Sequence, residues 1–279
     1  MNTHHANMIH CHNLSYQVKH KSLLEAVNCQ FNEGQISVIL GKNGAGKSTL
    51  LSLLSKELMP TNGTIFWQNK PLQQLSYAEL SEKRGVLPQL QSPAFSLSVQ
   101  ALVELGAEVQ QGFTPMSAQQ IKQVALTVMK ACDVLHLANR DVIKLSGGEQ
   151  KRAQLARVLA QIWPMNNIDA GLPKPFLGHW LLLDEWTNSL DLYHQQTLAT
   201  LFKQWAAQGL GIIMVLHDIN LCAQVADQVI MLKDAKLLKQ GSVEETLNPL
   251  NIKEALGLDV QVIKAEGIDH PILLPCSTT

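Results

Sequence analysis

The run Gly41-Lys42-Asn43-Gly44-Ala45-Gly46-Lys47-Ser48-Thr49 gathers residue types that together could hold an anion. Glycines let a backbone curl so that several N–H groups converge on one charge without side chains in the way. Lys47 adds a full positive charge, and Ser48 adds a hydroxyl suited to Mg²⁺. The chemistry these residues support is binding of the phosphates of a nucleoside triphosphate. Their neighbours supply the positioning. Ile36-Ser37-Val38-Ile39-Leu40 is a short apolar run rich in β-branched residues, which predicts a buried strand. Leu50-Leu51-Ser52-Leu53-Leu54 predicts the first turns of a helix, whose start contributes about half a positive charge. Strand, glycine-rich turn and helix form the context a phosphate-binding loop requires.

A second set of chemical groups lies downstream. Trp180-Leu181-Leu182-Leu183 predicts a fully buried strand that ends in Asp184-Glu185. Ligands of α/β sheets bind outside the carboxyl ends of the strands. Asp184 is therefore placed to hold the shell of Mg²⁺, and Glu185 to orient or deprotonate an attacking water. Ile212 to Leu216 predicts another buried strand, closed by His217-Asp218. His217 reads as a structural histidine or as a contact to a γ-phosphate or water; its place after the Asp-Glu strand favours the contact. Ser146-Gly147-Gly148-Glu149 has capping-box spacing, with Ala153, Leu155, Ala156, Leu159 and Ile162 following on a helical stripe. Capping physics alone leaves open whether this glycine-bearing helix start is an ordinary cap or a second anion site.

The elements between these groups alternate strand and helix. Met8–Val18 and Leu23–Phe31 predict early antiparallel strands, so Tyr16, in the first, reads as packing. Pro60-Thr61-Asn62-Gly63 predicts a turn into a strand at Thr64–Trp67, Tyr77–Arg84 a helix, and Gly85 to Gln89 a short strand stopped by Pro88. After a loop over Leu90–Leu97, Val99–Leu105 and Ile121–Leu137 carry helical spacing, broken by Gly112-Phe113-Thr114-Pro115. Ile162–His179, with Pro164, Pro173 and Pro175, predicts a long surface loop. Ser189 or Asp191 would cap a helix running to about Ala207. A hairpin around Asp234-Ala235, a helix over Val243–Leu256 and two strands within Val260–Leu274 complete the chain. The cluster His4, His5, His10, Cys11 and His12 fits no standard zinc spacing. On a strand His10 and His12 would share a face opposite Cys11, and the cluster reads as a solvated terminus.

Composition narrows the classes. A formal net charge of −1 on 279 residues signals neither a nucleic-acid nor a membrane-surface partner. No apolar run approaches a membrane span, and the N-terminus lacks the basic and apolar regions of a signal peptide. Five scattered cysteines without a Cys-x-x-Cys predict reduced thiols in the cytoplasm.

The phosphate loop, Gln89, the string Leu145 to Gln150, Leu181 to Glu185, Ser189-Leu190-Asp191 and His217 occur in an order and spacing that resemble the ATP-binding subunits of ABC transporters. The resemblance covers nearly the whole chain, and the Leu-Ser-Gly-Gly-Glu-Gln string is its most specific part. It implies an α/β fold: a P-loop (RecA-like) ATPase core with an antiparallel β subdomain over 1–89 and 146–279, and an inserted α-helical subdomain over 90–145. It implies ATP and Mg²⁺ as ligands. ATP contacts would come from Tyr16, stacking on adenine, and from Gly41, Asn43, Gly44, Ala45, Gly46, Lys47, Ser48 and Thr49. Ser48, Gln89 and Asp184 would serve the metal, and Gln89, Glu185 and His217 the catalysis. Ser146, Gly147, Gly148 and Glu149 would contact the ATP of an opposite subunit, and Asp191 would communicate across that homodimer. Two separate transmembrane permease subunits and, indirectly, a periplasmic substrate-binding protein would complete a transporter at the cytoplasmic face of the inner membrane, with no nucleic acid involved. Val86 to Gln89, His217 to Leu221 and the helical insertion resemble importers of iron chelates, haem and cobalamin. The 162–179 segment and the tail from Val260 to Pro275 favour hemin over siderophore or cobalamin. A soluble ABC ATPase of DNA repair or translation is disfavoured, because heptads, an internal repeat and a basic patch are all missing. The chain departs from the family at Trp186, where proline usually follows the catalytic glutamate.

Overall fold

The computed structural model describes residues 8–89, 96–112 and 116–276. Its first elements are β1 (Met8–Val18), β2 (Lys21–Asn32), β3 (Ile36–Leu40), α1 (Lys47–Leu54), β4 (Asn62–Trp67) and β5 (Lys70–Pro71). Then come α2 (Tyr77–Lys83), β6 (Arg84–Leu87), α3 (Val99–Glu108), α4 (Ala118–Ala131), α5 (Gly147–Gln161), α6 (Met165–Asp169), β7 (Trp180–Asp184) and α7 (Leu192–Ala207). The remainder is β8 (Gly211–Val215), α8 (Ile219–Val225), β9 (Gln228–Lys233), β10 (Lys236–Gly241), α9 (Val243–Thr246), α10 (Pro249–Leu256), β11 (Val260–Ile263) and β12 (Ile272–Pro275). The chain divides into two compact units, one formed by the elements up to Leu75 and from Gly211 onward, the other by Ser76–Leu210.

In the first unit, β1 pairs antiparallel with β2 on one side and β4 on the other. Its alternation sends Ile9 and Cys11 into the core with Cys29 and Phe31 of β2, and an irregularity at Asn13, whose φ is 48°, brings Leu14 to the same face beside Val27. β3 lies parallel between β8 and β9. Every residue of β3 and β8 is buried, which is why both read as unbroken apolar runs rather than as alternating ones. β10 returns antiparallel along β9 through Asp234 and Ala235, both at positive φ, the geometry a tight hairpin turn demands. The second unit pairs β6 and β7 in parallel and packs α3 and α4 on α5.

Several boundaries differ from the sequence-based expectation. The helix expected over 121–137 ends at Ala131, because Asp133 takes a φ of 52° and the chain tightens into a 3₁₀ turn at Leu135–Leu137. The loop expected over 162–179 contains the short helix α6. The helix expected over 243–256 is two, separated where Asn248 caps a new start with Pro249 in its first turn. Arg84 opens β6 instead of closing α2, and Asn62-Gly63 belongs to β4. His10, Cys11 and His12 lie within β1 and not in a solvated terminus; His10 stacks on Phe66 at 4.6 Å between ring centroids. His4, His5, residues 90–95 of the expected loop and residues 113–115 of the expected break lie outside the described residues.

Candidate functional site

The candidate residues are divided between the two units. In the first, β3 delivers the chain into Gly41 and α1 takes over at Lys47. The turn needs glycine at position 46: Gly46 has a φ of 102°, and a Cβ there would stand 2.5 Å from the carbonyl oxygen of Leu23. The loop is thus fastened against β2. Lys47 is only 6% exposed, and its Nζ donates to the carbonyls of Gly41 at 2.8 Å and Lys42 at 3.1 Å. Asn43, Gly44 and Ser48 are exposed, Thr49 is half-buried and Ala45 is buried. Tyr16 is half-buried and sits opposite Leu24 in the β1–β2 register. The Leu24 side chain in turn lies against Gly46. His217 follows β8 and is exposed, while Asp218 caps α8 by accepting from the N–H groups of Asn220 and Leu221.

The second unit holds the carboxylates. Asp184 is the last residue of β7, and Glu185 turns out of the strand with a φ of 46°. A glutamate pays about 1–3 kcal/mol to adopt that conformation, so its surroundings must hold it. They do so at three places. Its Oε2 accepts from Asn188 Nδ2 at 2.6 Å and from Gln89 Nε2 at 3.3 Å. Its carbonyl accepts from the Asn188 N–H at 3.2 Å and from Lys151 Nζ at 3.1 Å. The next residue, Trp186, is buried with its ring edge-on to Phe202 at 5.0 Å. Beyond it, Gln195 Nε2 donates to the carbonyls of Thr187 and Leu190 and secures the loop to α7.

Ser146 caps α5 with a complete capping box: its Oγ accepts from the Glu149 N–H, and Glu149 Oε2 accepts from the Ser146 N–H at 2.8 Å. The Ser146 N–H and the Ser146 hydroxyl, both donating to Oε2, hold the Glu149 carboxyl below the ordinary carboxylate range. A Cβ on Gly148 would come 2.7 Å from the Ser189 carbonyl, so that glycine is required by the close approach of the 189 loop, whereas Gly147 has ordinary clearance there. Of the two cap candidates for α7, the cap is Asp191, which accepts from the His194 N–H at 2.9 Å and faces His194 Nδ1 at 2.8 Å. Both contacts draw the Asp191 carboxyl below its usual range. His194 Nε2 also reaches Asp133 at 3.4 Å.

The fold therefore joins Gln89 to Glu185 and the glycines after Ser146 to the loop before Asp191. It adds Asn188, Lys151 and His194, which sequence reasoning did not single out. Asn188 had no signal. Lys151 had one: it precedes Leu155 and Leu159 at helical spacing on the buried stripe of α5, where an ammonium is out of place. Among the described residues, no cluster of three or more His, Cys, Asp or Glu could hold a metal ion, and no helix is long and apolar enough to cross a membrane.

A buried parallel strand, a glycine-rich turn around a nearly buried lysine, and a second strand ending in paired carboxylates define a P-loop nucleotide-binding α/β protein. The model of the ABC transporter family matches residues 24–169. The hemin import ATP-binding protein HmuV of Gloeobacter violaceus is 40% identical over 257 residues, covering 91% of this chain and 88% of that protein. Its counterpart from Escherichia coli O157:H7 is 37% identical, covering 96% and 99%. The dimeric structure of MJ0796, a bacterial ABC transporter cassette, shares 27% identity and superposes with a TM-score of 0.70 over 84% of this chain and 98% of that one. An inward-facing transporter assigned to the metal-chelate type shares the fold, with a TM-score of 0.76 over 98% of both chains at 24% identity. This chain belongs to the ABC transporter family and is one of its ATP-binding ATPases.

Proposed function

We propose that this chain is the ATP-hydrolysing subunit of a hemin importer, acting as a homodimer against two transmembrane permease subunits at the cytoplasmic face of the inner membrane. The observation that carries the proposal is that relatives 32–40% identical over 91–96% of this chain are hemin import ATP-binding proteins. The roles follow from chemistry. Lys47 and the N–H groups of the loop from Gly41 to Thr49 neutralise the phosphates, and Tyr16 stacks on the adenine. Ser48, Gln89 and Asp184 offer hydroxyl, amide and carboxylate oxygens, the hard donors Mg²⁺ selects, and the metal would offset charge on the transferred phosphoryl group. Glu185 positions and deprotonates the attacking water, with Gln89 at its carboxylate, and His217 contacts the γ-phosphate or that water. Ser146, Gly147, Gly148 and Glu149 face the ATP held by the second copy, and Asp191 communicates between copies. ATP would close the dimer and hydrolysis reopen it, giving two states whose balance the nucleotide sets.

The test is growth of a deletion strain with hemin as sole iron source, complemented by this chain or by its Glu185→Gln form, with siderophore-iron and cobalamin uptake measured alongside. Rescue by the unaltered chain alone is expected. Unimpaired growth on hemin without the chain, with loss of another cargo, would move the assignment to that cargo. In the purified protein, Glu185→Gln is expected to retain ATP binding and lose turnover by about a hundredfold or more.

A further inference from the structure

Lys151 is a lysine in the wrong place for a bystander. It is 2% exposed, and burial pushes its ammonium below the ordinary lysine range against the pull of Asp184 and Glu185. A buried cation is costly to fold and is retained where it is paired. Its Nζ donates to the carbonyl of Glu185, the residue whose φ of 46° leaves the strand and aims the carboxylate. The stem of Lys151 belongs to α5, the helix that starts at Ser146-Gly147-Gly148. One side chain thus ties the helix with the glycine-bearing start to the backbone of the proposed base.

We infer that Lys151 is a positioning residue for ATP hydrolysis, holding the Glu185 carbonyl so that α5 fixes the direction of the Glu185 carboxylate. This rests on the proposed role of Glu185. Asn188 and Gln89 grip the carboxylate itself, and Trp186 anchors the following residue, so Lys151 supplies the contact from the helix side. Through it, any shift of α5 reaches Glu185 without passing through the nucleotide. A misdirection of about 1 Å is enough to cost up to about a hundredfold in rate.

The experiment compares Lys151→Met, Lys151→Arg and Lys151→Gln in full-length protein, alone and combined with Glu185→Gln. Steady-state ATPase rates and the affinity for a non-hydrolysable ATP analogue are measured for each. Lys151→Met removes the donor at similar volume, and its kcat is expected to fall about tenfold or more with analogue affinity within about threefold of wild type. Lys151→Arg restores most of the rate, and Lys151→Met lowers the residual turnover of Glu185→Gln no further, since both act through one residue. Thermal stability is not expected to fall, because a buried methionine replaces a buried ammonium. Wild-type turnover by Lys151→Met, an equal loss of rate and affinity without rescue by Arg, or a full additional loss in the Glu185→Gln background would each overturn the proposal. Should Lys151→Met not fold, Arg and Gln carry the comparison: Arg near wild type with Gln lower supports it, and equal rates sink it. Glu185→Gln hydrolysing at the wild-type rate would remove the base and the proposal together; an inactive Glu185→Gln beside a fully active Lys151→Met would remove the proposal alone.

Discussion

At the scale of single residues, Trp186 is the departure with the largest physical consequence. A proline there would restrict the backbone of Glu185 by its ring alone. Trp186 is 1% exposed instead and joins an aromatic series in which Phe202 also meets Trp205, and Trp205 meets Trp163. Trp186→Ala removes the indole from that series, and a stability loss of about 3–5 kcal/mol is expected in denaturant unfolding. A loss of turnover should accompany it, because the turn at Glu185 loses its downstream anchor. A stability change below about 1 kcal/mol would mean that the cluster reorganises around the gap. The phosphate loop, the Asp184-Glu185 pair and the capping box at Ser146 were legible in the sequence, since each is set by neighbours within a few residues. The grip of Asn188 and Lys151 on Glu185 was not, because it joins residues 3 and 34 positions away through a backbone turn that propensity does not reveal.

At the scale of elements, the buried strands were legible and the helix ends less so. β3 matched to the residue because an apolar run bounded by glycines has one reading, whereas α4 stopped early at a left-handed Asp133 that no local rule required. The segment between α6 and β7 adds a pH response. Burial lowers the pKa of His179 from its ordinary 6.5, while the carbonyls of Phe176 and Leu177 pull the other way. The folded state therefore favours the neutral ring, and the unfolded chain takes up the proton first as pH falls. The associated stability is present in full above the unfolded pKa and declines as pH drops below 6.5. Thermal midpoints measured from about pH 7 to about pH 5 should fall more for wild type than for His179→Phe. Parallel slopes would show that His179 titrates alike in both states.

At the scale of the whole molecule, the five cysteines stay apart from any disulfide: Cys11, Cys29, Cys132 and Cys222 are buried thiols and Cys276 is exposed. Burial pushes Cys132 up to about 12 and raises Cys222, and the hydrogen bond with Cys29, joined by burial, raises Cys11, leaving all three almost no thiolate at neutral pH. An aromatic-disulfide thiol reagent should label one cysteine in the native protein and all five once unfolded; rapid native labelling of a second would reveal opening of the β1–β2 layer or the helices around Cys132 and Cys222. The lysine of the phosphate loop has a consequence that runs through the whole fold. With Lys47 nearly buried and its ammonium bound to two carbonyls of its own loop, the entropy of fixing a long flexible side chain, up to about 2 kcal/mol, falls on folding and not on ligand capture. The two loop carbonyls offset that cost within the folded chain, so the ligand meets a cation already in place.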